Sequence, residues 1–146
     1  MREIKFRAWD NVAFEMLYVG EDMDVIFSLS DTGIECTDIR NGTPSGDGVD
    51  SMEHLIYMQF TGLHDKNGTP IYEGDIDTDE NRNLTVVKYI KKYGAYCFVP
   101  IELYLHEDYE NEVYYQYGYE CFFHNVTPSV YAEVIGNIYE DKGLLE

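Results

Sequence analysis

No stretch of this 146-residue chain is apolar for long enough to be a signal h-region or a membrane span, and its first residues already alternate charged and apolar side chains. No membrane partner is therefore expected, and the protein is read as soluble and cytoplasmic. Cysteine is scarce: Cys36, Cys97 and Cys121 are odd in number and far apart, which excludes a disulfide framework and fits buried apolar fillers in a reducing compartment. Positive charge is scarcer still. Lys and Arg number 10 against 28 Asp and Glu, the net charge is −18, and no Lys or Arg occurs from Tyr93 to Asp141. Such a field repels phosphate backbones and anionic lipid, so direct nucleic-acid binding is disfavoured; Arg2, Lys5 and Arg7, and the weak grouping Arg82, Lys88, Lys91 and Lys92, are all that oppose it. Glycine-rich phosphate loops and a G-x-S-x-G elbow are absent too, which leaves nucleotide-dependent chemistry and a serine nucleophile without local support. His54, His64, His106 and His124 are scattered. No catalytic residue and no cofactor is assigned.

Aromatic side chains are plentiful, with 14 Tyr and 7 Phe, a bias that favours strands over helices. Arg2 to Trp9 alternates with the period of a half-buried strand, and Glu15 to Val19 and Val25 to Leu29 are further short candidates. Asn41 to Gly48 has nothing to pack and reads as a loop. Leu55 to Thr61 alternates again, Asp65-Lys66-Asn67-Gly68 offers a turn, and Pro70 to Tyr72 returns as the second arm of a hairpin. The remaining strand candidates are Leu84 to Lys91, Ala95 to Val99, Ile101 to His106, Val113 to Tyr117, Tyr119 to His124 and Tyr131 to Tyr139, the last bent by a bulge near Gly136. Ser129 is an alternative helix cap for that last segment. Short strands at close spacing predict a mostly β fold with little helix: a small antiparallel barrel or sandwich built mainly from residues after 50, with an N-terminal strand packed on it. Residues 1–146 are read as a single domain, with an N-terminal subdomain at 1–50 and a barrel-like part at 54–146 separated by the Gly-rich loop 41–50.

Two groupings suggest metal chemistry. Asp75, Asp77 and Asp79 start like a Ca²⁺ loop, but Glu80 and Val86 stand where that loop needs Gly and a bidentate Glu, so a solvated acidic loop is the plainer reading. Cys121 and His124 have chelating spacing for zinc, yet positions three apart in a strand project to opposite faces. No metal site is assigned, and these five residues remain weak candidates for a metal-dependent enzyme. The acidic, Tyr-bearing run supplies a candidate interaction surface in Tyr104, Glu107, Asp108, Tyr109, Glu110, Glu112, Tyr114 and Glu120, since Tyr carries both apolar area and a hydroxyl. The plain alternative is a solvated acidic face over core tyrosines.

Three strings resemble the YopX-like family of phage and prophage proteins: MREIKFRAWD at Met1 to Asp10, MQFTGLHDKNGTPIYEGDI at Met58 to Ile76, and EVIGNIYE at Glu133 to Glu140. The loops at Asn41 to Asp50 and Tyr104 to Glu120 lie outside them. The resemblance implies a compact β-rich fold encoded by a phage or an integrated element, and it brings no catalytic residues. The function expected is that of an accessory protein acting in the bacterial host cytoplasm. It would bind a host or phage protein through the acidic surface, as a homo-oligomer; the alternatives are a DNA mimic that inhibits a nucleic-acid-binding host protein, and the metal enzyme above.

Overall fold

Alternation becomes strand pairing wherever β-branched and aromatic residues recur at every second position. The computed structural model describes residues 1–40, 50–79, 81–117 and 127–146. Its order is β1 (Phe6–Asp10), β2 (Glu15–Tyr18), β3 (Val25–Ser30), β4 (Gly33–Asp38), β5 (Asp50–Ser51), β6 (Ile56–His64), β7 (Pro70–Tyr72), β8 (Asp75–Thr78), β9 (Leu84–Ile90), β10 (Ala95–Pro100), α1 (Ile101–Tyr104), α2 (Tyr109–Tyr117), α3 (Pro128–Tyr131) and β11 (Glu133–Asn137). The chain is mostly strand with little helix, and its antiparallel sheets include one curled as a half-barrel. Among the described residues no helix is long and apolar enough to cross a membrane.

The chain divides into two compact units. In the unit Lys5–Gln59, β1 is the centre of an antiparallel arrangement, pairing with β2 (Ala8 opposite Leu17) and with the first half of β6 (Ala8 opposite Tyr57). A second sheet runs in the order β3-β4-β5. The core holds Ala8, Leu17, Val25, Cys36, Met52 and Leu55, with Phe27 and Tyr57 against it.

The other unit comprises Met1–Ile4 and Phe60–Glu146. The second half of β6 pairs with β7 as a hairpin whose Asp65 to Thr69 turn closes as expected, Gly68 taking a φ of 81° that only Gly adopts freely. A four-stranded sheet follows in the order β10-β9-β8-β11. Ile90, Cys97, Val99, Leu103 and Val113 form one cluster in this unit, and Ile76, Val86 and Ile138 another. The bulge expected in the last strand is present, between Val134 and Gly136. An added Cβ at Gly136 would come within 2.5 Å of the Asp141 carboxylate.

The sequence expectation is corrected in five places. Arg2 to Trp9 is not one half-buried strand: β1 begins only at Phe6, and Arg7 and Trp9 are buried as well as Ala8. Ile101 to His106 and Val113 to Tyr117 are not strands: the first begins with helix α1 and the second ends helix α2. Pro100 ends β10, and the helical course lets Leu103 and Val113 both reach full burial in one cluster, so packing overrides the strand preference of Tyr and Val. Tyr131 to Tyr139 is likewise shorter as a strand, since α3 precedes it; Thr127, not Ser129, holds the cap position, without a side-chain bond. Asp75 and Asp77 belong to β8, at 2% and 4% exposure, instead of a solvated loop. The candidate strand Tyr119 to His124 and the loop 41–49 lie outside the described residues.

Candidate functional site

β8 is flanked by β9 and β11, with Asp77 opposite Thr85 on one side and Val134 on the other. Strand geometry sends Ile76 to the opposite face from its neighbours, where it is fully buried in the core. Asp77 itself lines a cleft of about 830 Å³ in the Phe60–Glu146 unit. Leu84, Phe98, Ile101, Leu105, Tyr131 and Leu144 supply apolar lining; Asp79, Glu102 and Glu146 are its other acids, and Arg82 is the one Lys or Arg among the lining residues. Asp77 meets the Thr85 hydroxyl. Burial is the dominant influence on its carboxyl and pushes its pKa up to about 7; the Thr85 bond opposes this, while Asp79 and Asp75 add to it. A carboxyl that exchanges its proton near neutrality thus lines an apolar cleft.

The neighbouring carboxyls are committed to the backbone. Asp75 accepts from the Tyr72 N–H at 2.8 Å. Asp79 accepts from the Asn81 and Asn83 N–H groups and the Asn83 side-chain amide. Burial alone would raise Asp79, but those bonds outweigh it and hold its pKa below the usual value. Each of these three weak metal candidates has its own local partner. Among the described residues, no group of three His, Cys, Asp or Glu is placed to hold a metal ion. Cys121 and His124 lie outside the described residues.

In the Lys5–Gln59 unit, Asp10 is 3% exposed and accepts from the Val12 and Ala13 N–H groups, while His54 Nε2 lies 2.8 Å from it. Burial works against its ionisation, yet these partners outweigh it and the pKa falls below the ordinary value. Cys36 lies in the same unit, but burial, joined by Asp38, Asp22 and Asp10, pushes its pKa to about 11, which keeps it a thiol and a core filler.

The expected interaction surface separates into two kinds of residue. Tyr104 and Tyr109 pack against buried clusters with ring centroids 5.3 Å apart, and burial followed by Glu110, Tyr104 and Glu73 pushes the Tyr109 pKa to about 12. Glu107 and Asp108 are exposed between α1 and α2, and Glu110 and Glu112 are partly exposed on α2. Tyr114 lies on α2, and Glu120 is outside the described residues. Sequence reasoning missed the cleft and the Asp10–His54 pair, because both join residues distant in the chain; the one available signal for the cleft was an acid at every second position from Asp75 to Asp79.

A family model described as YopX protein matches residues 5–146. No curated protein matches. Among solved structures, the crystal structure of protein EF1440 from Enterococcus faecalis is 26% identical, with a TM-score of 0.57 and full coverage of both chains. The X-ray structure of YopX from Bacillus subtilis is 14% identical with a TM-score of 0.54, covering 97% of this chain and 95% of that one, a likeness of fold alone.

Proposed function

We propose that this chain, which belongs to the YopX family, is an accessory protein of a phage or prophage that acts in the host cytoplasm by binding a protein partner through its α1–α2 stretch. The observation that carries the reading is charge without counter-charge: Glu102, Glu107 and Asp108 are exposed within a run, Tyr93 to Asp141, that has no Lys or Arg. Leu105 stands among them at 61% exposure, so the stretch offers apolar contact area beside its acids. A basic partner gains on-rate from such a field and specificity from its layout.

The test is affinity capture from host lysate with the tagged full chain, at low and high salt, with and without competitor DNA. A specific protein that is lost when Glu107→Lys and Asp108→Lys are combined supports the reading. Capture that those substitutions leave unchanged, or no specific capture, counts against it. A captured nucleic-acid-binding protein that DNA strips away moves the reading to DNA mimicry.

Self-association is part of the proposal. β3 is the terminal strand in the order β3-β4-β5 and leaves Ile26 and Leu29 at 51% and 83% exposure, the kind of strand on which a second copy can add. Light scattering of the purified chain should give a multiple of the 17.0 kDa chain mass, reduced to that mass by Leu29→Lys; a monomer at high concentration removes this part.

A further inference from the structure

The cleft beside Asp77 shares residues with the proposed binding stretch, since Ile101, Glu102 and Leu105 line it as well. Its volume, about 830 Å³, is large enough to take a bulky side chain or organic group. Apolar side chains line it together with polar ones: the Asp77 carboxyl, 4% exposed, and Asp79, Glu102 and Glu146 give four acids against the single Arg82. A neutral occupant would leave the excess of acid along the cleft unanswered, and an anion would be repelled by it. The chemistry that fits is a bulky apolar group carrying a cation.

We propose that this cleft is the anchor site for a segment of the partner protein in which Lys or Arg adjoins a bulky apolar residue, the cation meeting Asp77 and the apolar side chain packing between Leu84, Phe98, Leu105 and Tyr131. This rests on the protein-binding reading and names what the partner must present. A free organic amine would share the cation but not the continuity with the α1–α2 stretch, which is why a protein segment is the occupant assigned.

One consequence follows from the groups that face Asp77. Asp75 and Asp79 flank it in the chain, Thr85 bonds it from β9, Val134 opposite it on β11 carries no charge, and Arg82, Glu102 and Glu146 line the same cleft. The carboxyls among them favour a protonated Asp77 in the empty cleft, and a cation favours the carboxylate. Binding therefore requires the proton to leave, and affinity falls with acidity.

The test uses the full chain and fluorescent heptapeptides in which Arg adjoins Phe or Leu, with charge-reversed and all-polar basic peptides and free hexylamine as controls, read by anisotropy and by chemical-shift mapping. The Arg-apolar peptides are expected to perturb Leu84, Leu105 and Tyr131, to weaken about tenfold from about pH 8 to about pH 6, and to lose that pH dependence in Asp77→Asn. Leu105→Lys, at an exposed position where folding has little to lose, should weaken binding at least about tenfold. Melting curves check that both variants fold. Equal binding of the all-polar basic peptide, or binding abolished by the Glu107→Lys, Asp108→Lys pair but not by Leu105→Lys, overturns the cleft while leaving the acidic-face reading standing. Binding of hexylamine with no peptide binding overturns it too. If no probe binds, the cleft proposal fails, and the lysate capture above decides the parent reading separately.

Discussion

Asp65 and Asp77 lie in the same unit and are both almost wholly buried, at 2% and 4% exposure, yet their surroundings differ in kind. Asp65 receives three backbone N–H groups, from Asn67, Thr69 and Val134, the last from β11, so one carboxylate closes the β6–β7 turn and ties it to a distant strand. Lys66 adds to that tie, its N–H bonding the Ala132 carbonyl and its ammonium meeting Glu133 at 2.7 Å. Asp77 has a hydroxyl, two neighbouring acids and an apolar cleft. A buried carboxylate saturated by backbone donors holds a fold together; one held mainly by burial is left free to respond to protons and ligands.

The contrast can be broken from either side. Asp65→Ala should have the largest effect, because it strands three part-buried donors at once: a loss of about 3 kcal/mol in urea denaturation, whereas a loss below about 1 kcal/mol would mean that water replaces the carboxylate. Gly136→Ala probes another tie in the same region. The new Cβ meets the Asp141 carboxylate that accepts the Asn137 N–H at 3.0 Å, and a cost of about 2 kcal/mol is expected by the same measurement.

Asp77→Asn sharpens the other side. Because the folded protein holds this proton up to about pH 7 and the unfolded chain releases it near the ordinary carboxyl value, folding binds a proton between those limits. Stability from this group is full below about pH 4, declines as pH rises to about 7, and is flat beyond. Asp77→Asn should remove that decline and be more stable than the parent by roughly 2 kcal/mol at about pH 8, as measured by denaturation across pH; a parallel pair of curves would show that Asp77 is ionised throughout. Glu107→Lys with Asp108→Lys should cost about 1 kcal/mol, because Asp108 directly precedes α2, accepts from the Asn111 side-chain amide, and a cation there opposes the helix dipole; this pair should nonetheless have the largest effect on partner capture.

Much of the fold was legible because period and turn chemistry agree in β6, β7 and β11: Asn67-Gly68 closes the hairpin and Gly136 marks the bulge. β1 was legible as a strand but not as a half-buried one, since Arg7, Ala8, Trp9 and Asp10 are all buried and Ile4 lies before it at 64% exposure. Residues 101–117 were misread for a physical reason. Val113-Tyr114-Tyr115-Gln116-Tyr117 has the composition of a strand, and only its place against Ile90, Cys97 and Val99 makes the helix the better way to bury Val113. The different fates of Asp75 and Asp77 were not legible at all. Two residues apart in one strand they share a face, and what separates them is the Tyr72 N–H reaching one and the cleft opening beside the other.

The central claim is that the exposed acids of the α1–α2 stretch bind a protein, and paired affinity capture tests it most directly. The wild-type chain and the Glu107→Lys, Asp108→Lys variant are carried through the same lysate at low and high salt and read by mass spectrometry. A specific partner should be retained by the wild-type chain, weakened by salt and lost from the variant, whose melting curve checks that it folds. Identical capture by both chains would contradict it.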